Sequence, residues 1–199
     1  MKLNFGKTVL RINISFAAAV TLTLIIDESG LCAAALFCCV IHELGHIICL
    51  YILGEKPGVI ELSFYGVRLE RNADCLNFVE NIAVYLSGPA ANLILSSVLF
   101  LIGKSSGIKT AAVVSLCVGI FNMLPCQPLD GGNLLELILS GFTDEEKCRK
   151  ICFFVSAAMV LPLLICGFLL LLRNGNTTLL AVSGYLAIMT FLNNKGRFF

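Results

Sequence analysis

The stretch FCCVIHELGHIICLYIL, residues 37–53, places an acid and two imidazoles in the middle of an apolar run. The polar residues are His42, Glu43 and His46, and the two histidines are the only ones in the chain. Ionisable groups are costly inside a bilayer and usually mark a functional site there. The stretch therefore raises the question of what these three side chains bind or catalyse.

The composition of the chain indicates a membrane protein. Hydrophobic residues make up 58% of the 199 residues and charged residues 14%, whereas soluble domains carry about 25% charged residues. The formal net charge is only +1, and the charges lie in short patches, so nothing indicates a nucleic-acid partner. The expected partners are the lipid bilayer and proteins within it.

The chain has ten cysteines, a number that in a small secreted domain would suggest disulfide bonds. Most of them lie inside apolar runs, where a free cysteine behaves as a small hydrophobic residue. We therefore expect helix packing from the following residues: Cys32, Cys38, Cys39, Cys49, Cys117, Cys152 and Cys166.

Apolar runs of about 20 residues are long enough to cross a bilayer as helices. They predict an all-α polytopic fold with six transmembrane helices, at 8–26, 31–53, 81–102, 108–125, 151–172 and 177–192. With both termini cytoplasmic, 11 of the 14 Lys and Arg residues lie in cytoplasmic connections, as the positive-inside rule favours. We predict one membrane-embedded domain over 1–199, whose first helix is retained because no cleavage site follows it.

Two connections have patterns of their own. Between the second and third helices, apolar and polar residues alternate over 60–64 and 67–69 around Tyr65-Gly66, which predicts a short membrane-associated β-hairpin. After the fourth helix, the segment CQPLDGGN begins a connection in which a short helix is expected at 133–140. Thr143 and Glu146 have the spacing of a capping box, which predicts the start of the fifth helix.

The motif in residues 42–46 has the pattern H-E-x-x-H. On a helix, His42 and His46 lie on one face and can bind one zinc ion, with Glu43 as general base. A tetrahedral catalytic zinc needs three protein ligands and one open position. Asp130, in NMLPCQPLDGG, is the best third candidate because its helix ends on the same side as the second helix.

Other interpretations of these residues stay open. A polar cluster inside a membrane can be a structural hydrogen-bond network or a proton relay, and Asp130 can be a turn residue before two glycines. Cys39 or Cys49 could replace Asp130 as a ligand, but a cysteine-ligated site is more often closed and structural. Such a site would also leave Glu43 unexplained.

Three motifs in order, HELGH, SGPAAN and NMLPCQPLDGG, resemble those of the site-2 protease family of intramembrane zinc metalloproteases. The resemblance covers 31–140, which would be the catalytic core. It is strongest to the sporulation branch of the family, although the CBS domain of that branch does not fit this sequence. The family implies that His42, His46 and Asp130 bind zinc and that Glu43 activates water.

The other two motifs add substrate-binding candidates, of which Asn122 is the first. Asn92 is the second, although the GPAAN motif also suits a kink with close helix packing. The helices at 8–26, 151–172 and 177–192 would be accessory.

The expected function is regulated, zinc-dependent cleavage of a membrane-associated or single-span protein. The sporulation resemblance implies a pro-sigma factor as substrate, a membrane inhibitor or regulator as partner, and a bacterial cytoplasmic or spore-compartment membrane as location. The alternatives are a non-catalytic relative and a metal or proton transporter. The transporter is disfavoured because no ionisable residues cross the outer half of the helices and no inverted repeat is present.

Overall fold

The computed structural model describes residues 2–5, 8–12, 20–21, 24–25, 27, 30–55, 59–63, 66–70, 76–175 and 177–194. The strands are β1 (Lys2–Phe5), β2 (Thr8–Ile12), β3 (Val59–Ser63) and β4 (Gly66–Glu70). The helices are α1 (Leu31–Ile52), α2 (Phe78–Ile102), α3 (Ser106–Asn122), α4 (Asp130–Ser140), α5 (Glu145–Asn174) and α6 (Thr178–Asn194). The chain divides into two compact units, 1–119 and 120–199.

The strands of the first unit form one sheet with the order β1-β2-β3-β4. Strand β1 pairs antiparallel with β2, and β2 pairs parallel with β3. Strands β3 and β4 pair antiparallel from Val59 opposite Glu70 to Ser63 opposite Gly66, over the residues for which the sequence predicts a hairpin. The two N-terminal strands are not part of that prediction.

The prediction of a first transmembrane helix at 8–26 is wrong at its start. Residues 8–12 form β2, in which Val9 lies opposite both Asn4 and Val59. A short apolar run does not separate strand from helix by itself, and β-branched residues such as Thr8, Val9 and Ile12 favour the strand. The partner strands supply backbone hydrogen bonds that a helix would make internally.

Helices α1 and α2 pack closely because two glycines lie between them. A Cβ atom at Gly45 would come within 2.6 Å of the Ser87 carbonyl oxygen and 3.1 Å of the Gly88 Cα. Small residues at such a crossing let two helix backbones approach in a membrane protein. The contact brings the HELGH segment of α1 against the SGPAAN segment of α2.

The start of α2 is fixed by a capping box that involves Asn77 and Glu80. The Asn77 side chain accepts the Glu80 N–H at 3.0 Å, and the Glu80 carboxylate accepts the Asn77 N–H at 2.8 Å. Two N–H groups that the helix leaves without partners are thereby satisfied. Farther along, Ser96 Oγ donates to the Ala112 carbonyl at 2.8 Å, which ties α2 to α3.

In the second unit, α5 and α6 pack around a core of Cys126, Val160 and Leu186. Helix α4 begins at Asp130, three residues before the predicted start. The predicted capping box of Thr143 and Glu146 is wrong, because the N-cap of α5 is Asp144. Thr143 instead donates its hydroxyl to the Leu139 carbonyl at 2.8 Å, at the end of α4.

Three helices in the described residues are long and apolar enough to cross a membrane: α1, α2 and residues 145–173 of α5. Helices α3 and α6 are apolar but shorter, with 17 residues each. The prediction of six spans is therefore not supported. Large apolar side chains face outward, such as Leu101 at 86% and Ile52 at 79% exposed, as expected of an integral membrane protein.

Candidate metal centre

The two histidines of α1 lie one turn apart and face each other. His42 and His46 are only 5% and 7% exposed, and their Nε2 atoms are 3.2 Å apart. Two nitrogens about 2.05 Å from one zinc ion at the tetrahedral angle are about 3.3 Å apart. The spacing of the imidazoles therefore fits shared ligation of one metal ion.

The proton of the His46 ring is fixed by a main-chain contact. His46 Nδ1 lies 2.7 Å from the Val84 carbonyl oxygen of α2, and a carbonyl only accepts, so Nδ1 carries the hydrogen. The Nε2 atom is then left with a lone pair. Metal-binding histidines almost always donate their second ring N–H in this way, which holds the ring in the ligating orientation.

The ring of His42 has a different neighbour, Asn92. The Asn92 side-chain nitrogen lies 3.4 Å from His42 Nδ1, while its Oδ1 is buried without a hydrogen-bond partner. The two ends of an amide are assigned from its hydrogen bonds, and a half-turn of the amide places Oδ1 where Nδ1–H can donate. That orientation satisfies the orphaned oxygen and leaves a lone pair on His42 Nε2 as well.

The space beside the two Nε2 atoms is kept open by Gly88 of α2. A Cβ atom at this position would lie 2.3 Å from His46 Nε2 and 2.8 Å from His42 Nε2. Both distances are far below an ordinary van der Waals contact, and the shorter one is close to zinc–nitrogen bond lengths of about 2.0–2.1 Å. Any side chain at residue 88 would therefore compete with a metal ion for the same volume.

Asp130 is half-buried and is the first residue of α4. The two glycines after it let α4 begin directly on the preceding loop, since a Cβ at Gly131 would lie 2.2 Å from the Met123 carbonyl oxygen. A carboxylate is favoured at the first turn of a helix, where the N–H groups point outward. The LDGG sequence thus determines both the position and the charge environment of Asp130.

The structure brings together two of the three ligands predicted from the sequence, His42 and His46, within the first unit. Asp130 belongs to the second unit, and its role as the third ligand stays a prediction. Cys39, the rival ligand, is exposed, and Cys49 is half-buried.

The remaining predicted site residues differ in accessibility. Glu43 is half-buried beside His42, and Asn122 is half-buried as the last residue of α3. Asn92 has no exposed surface, which suits contact with His42 better than contact with a substrate. The roles of these three residues stay predictions.

Sequence reasoning missed two contributors to this centre. Val84 acts through its carbonyl oxygen, and a main-chain atom leaves no signal in the residue type. Gly88 was interpreted only as a packing or kink residue. Its position in SGPAAN, a small residue beside a proline, is the signal that could have pointed to a close approach by another group.

Comparison with known proteins agrees with this geometry. The profile of peptidase family M50 matches residues 102–163, a segment that contains Asn122 and Asp130. A zinc metalloprotease of Methanocaldococcus jannaschii is 28% identical over 139 residues. Over these segments, this chain is similar to members of peptidase family M50. The M50 profile covers the Asp130 motif, and the histidine motif lies upstream of the matched segment.

Two further likenesses extend the comparison. A proposed zinc metalloprotease of Synechocystis is 29% identical over 123 residues. The solved structure of the site-2 protease from Methanocaldococcus jannaschii aligns with 98% of this chain and with 94% of its own chain. The TM-score is 0.70 and the sequence identity is 23%, so the two proteins share a fold. The matched segments cover 65% and 57% of this chain but only 40% and 32% of the two metalloproteases.

Proposed function

We propose that this chain is a zinc-dependent intramembrane endopeptidase that cleaves a membrane-associated or single-span protein. The main support is the pair of buried imidazoles with Nε2 atoms 3.2 Å apart in a helix long enough to cross a membrane. Similarity to peptidase family M50 supports peptide-bond hydrolysis as the reaction.

His42, His46 and Asp130 would hold the zinc ion. Their donor set of two imidazoles and one carboxylate is typical of hydrolytic zinc sites, which keep a fourth position for water or substrate. When bound, zinc polarises the substrate carbonyl and lowers the pKa of water toward about 7. The opening that Gly88 leaves beside both Nε2 atoms supports this assignment.

Glu43 would act as the general base and then as the general acid. Its carboxylate accepts the proton of the attacking water and delivers it to the nitrogen of the departing amine. Its place next to His42 in α1 supports this role, because a base must lie within hydrogen-bond reach of the water that it activates.

Asn122 would donate a hydrogen bond to the substrate backbone or to the oxyanion that develops on the attacked carbonyl. Strand β4 forms one edge of the sheet, and an extended substrate segment can add to such an edge through main-chain hydrogen bonds. Strand addition would also unwind a helical substrate, which exposes its peptide bonds to hydrolysis.

The cellular setting follows from the sequence resemblance. We place the protein in a bacterial cytoplasmic or spore-compartment membrane with both termini cytoplasmic. The substrate would be a single-span protein or a membrane-associated pro-sigma factor, and a membrane inhibitor or regulator would control cleavage.

The test is reconstitution of the purified protein with candidate substrates, comparing wild type with Glu43→Gln and measuring zinc in both. Cleavage by wild type alone, with equal zinc in both proteins, supports the proposal. Zinc binding without cleavage of any candidate would favour a non-catalytic relative. Proton or zinc flux into liposomes without cleavage would favour a transporter.

A further inference from the structure

A buried polar cluster in the second unit is centred on Gln127, outside the metal centre. The Gln127 N–H donates to Ser156 Oγ at 3.2 Å, and its carbonyl accepts from Thr190 Oγ1 at 3.2 Å. Its side-chain nitrogen donates to the Glu136 carboxylate, and its side-chain oxygen accepts from Asn193. The main-chain N–H and carbonyl of Gln127 and both polar atoms of its side chain are therefore hydrogen-bonded.

The partners come from three helices that are distant from one another in sequence. Glu136 lies on α4 and Ser156 on α5, while Thr190 and Asn193 lie in the last turns of α6. Gln127 itself is only 8% exposed. A buried amide is costly unless its hydrogen bonds are satisfied, so this residue is stable in only one position relative to α4, α5 and α6.

Gln127 precedes Asp130 by three residues, and the chain between them is tightly held. The Leu129 N–H donates to the Cys126 carbonyl at 2.8 Å. A Cβ atom at Gly132 would lie 2.6 Å from the Gln127 nitrogen, so the first turn of α4 rests directly on the Gln127 backbone. A shift of Gln127 therefore moves the start of α4, and with it the Asp130 carboxylate.

We propose that Gln127 is a positioning residue for Asp130, which makes α6 a part of the metal centre's support and not an accessory helix. The inference rests on the proposed function, since it assumes that Asp130 binds the metal. Ligand carboxylates need such outer contacts, and loss of an outer partner typically lowers metal affinity about 10–100-fold. No side chain of the cluster needs to contact the metal.

The first experiment compares Gln127→Met, Asn193→Leu and the control Ser183→Ala in the full-length protein. Ser183 is buried in the same helix α6 but donates only within it, to the Leu179 carbonyl at 2.8 Å. Zinc affinity by chelator competition, the visible spectrum of the Co²⁺-loaded protein and the melting temperature are measured for each. We expect about 10–100-fold weaker zinc binding and an altered Co²⁺ spectrum for the first two variants only.

A charge exchange provides the second experiment. Gln127→Glu places two carboxylates together and should weaken zinc binding, whereas Gln127→Glu/Glu136→Gln restores one donor and one acceptor and should recover it. If Gln127→Met and Asn193→Leu lower the melting temperature but keep the wild-type zinc affinity and Co²⁺ spectrum, Gln127 only packs and the inference is overturned. If Gln127→Met does not fold, Asn193→Leu and the charge exchange still distinguish a positioning role from packing alone.

Asp130→Ala separates this inference from the function on which it rests. If Asp130→Ala also binds zinc as wild type does, the proposed ligand set itself fails, and the positioning role fails with it. If Asp130→Ala loses zinc while every Gln127 variant keeps it, only the positioning role is wrong.

Discussion

The Nε2 atoms of His42 and His46 face each other across 3.2 Å. Both δ nitrogens face α2: His46 Nδ1 lies 2.7 Å from the Val84 carbonyl oxygen, and His42 Nδ1 lies 3.4 Å from the Asn92 side-chain nitrogen, whose place Oδ1 takes after a half-turn of the amide. With hydrogens on both δ nitrogens, two lone pairs meet, which is unfavourable unless a cation lies between them. The packing of α1 on α2 thus prepares both rings to bind a metal.

Glu43→Gln should retain zinc and lose cleavage. The amide is close in size to the carboxylate but does not accept a proton, and loss of a general base typically costs about 10²–10⁴-fold in rate. The measurement is kcat on a reconstituted substrate with zinc content determined on the same sample. Glu145→Gln, at an exposed position in the first turn of α5, is the control and should behave as wild type. Cleavage by Glu43→Gln near the wild-type rate would mean that another group is the base.

Gly88→Ala should abolish zinc binding, since its methyl group would occupy the space 2.3 Å from His46 Nε2. The matched control is Gly184→Ala in α6, where a Cβ meets nothing within 4 Å. The control should raise stability by about 0.5–1 kcal/mol, as alanine does over glycine inside a helix. Zinc content and melting temperature distinguish the two. Wild-type zinc content in Gly88→Ala would place the metal elsewhere.

Asn92→Leu should weaken zinc binding about 10–100-fold because His42 loses the acceptor for its Nδ1–H. Asn92→Asp keeps an acceptor at the same place and should retain zinc. Ser96→Ala is the control on the same helix: it removes a buried hydrogen bond to Ala112 and should cost about 1 kcal/mol of stability without changing zinc affinity. Equal zinc affinity for Asn92→Leu and wild type would leave Asn92 as a packing or substrate-binding residue.

Asn77→Ala should destabilise the protein by about 0.5–2 kcal/mol, because it removes the N-cap of α2. The effect is measured as a lower melting temperature in detergent. Zinc content at saturating metal should not change, since Asn77 lies about three helical turns before Gly88. Loss of zinc in a folded Asn77→Ala protein would link the cap to the metal centre.

The parts of the site that follow from local spacing could be predicted from the sequence. The i, i+4 spacing places His42 and His46 on one helix face without any knowledge of the fold. Asp130 lies far from the histidines in sequence, and no periodicity links them; the side on which its helix is expected to end and the motif resemblance both point to it, and its role as ligand stays a prediction. The Val84 carbonyl and the hydrogen bonds of Gln127 were missed because main-chain acceptors and distant partners leave no pattern in the sequence.

The N-terminal region limited the prediction of the fold. Hydropathy does not report whether residues 8–12 satisfy their backbone hydrogen bonds within a helix or with neighbouring strands. Their partners in the sheet include Val59, about 50 residues later, and such non-local pairing is decided by the whole fold. The helices of 22 and 25 residues around the site, α1 and α2, were predicted well because their length alone indicates a span.

The most direct test of the shared metal site is zinc X-ray absorption on the purified wild type and on Asp130→Ala. We predict a first shell of only nitrogen and oxygen at about 2.0–2.2 Å with two imidazoles, and loss of one oxygen or of the metal itself in Asp130→Ala. A sulfur neighbour at about 2.3 Å, or a spectrum of Asp130→Ala identical to wild type, would contradict a site built from His42, His46 and Asp130.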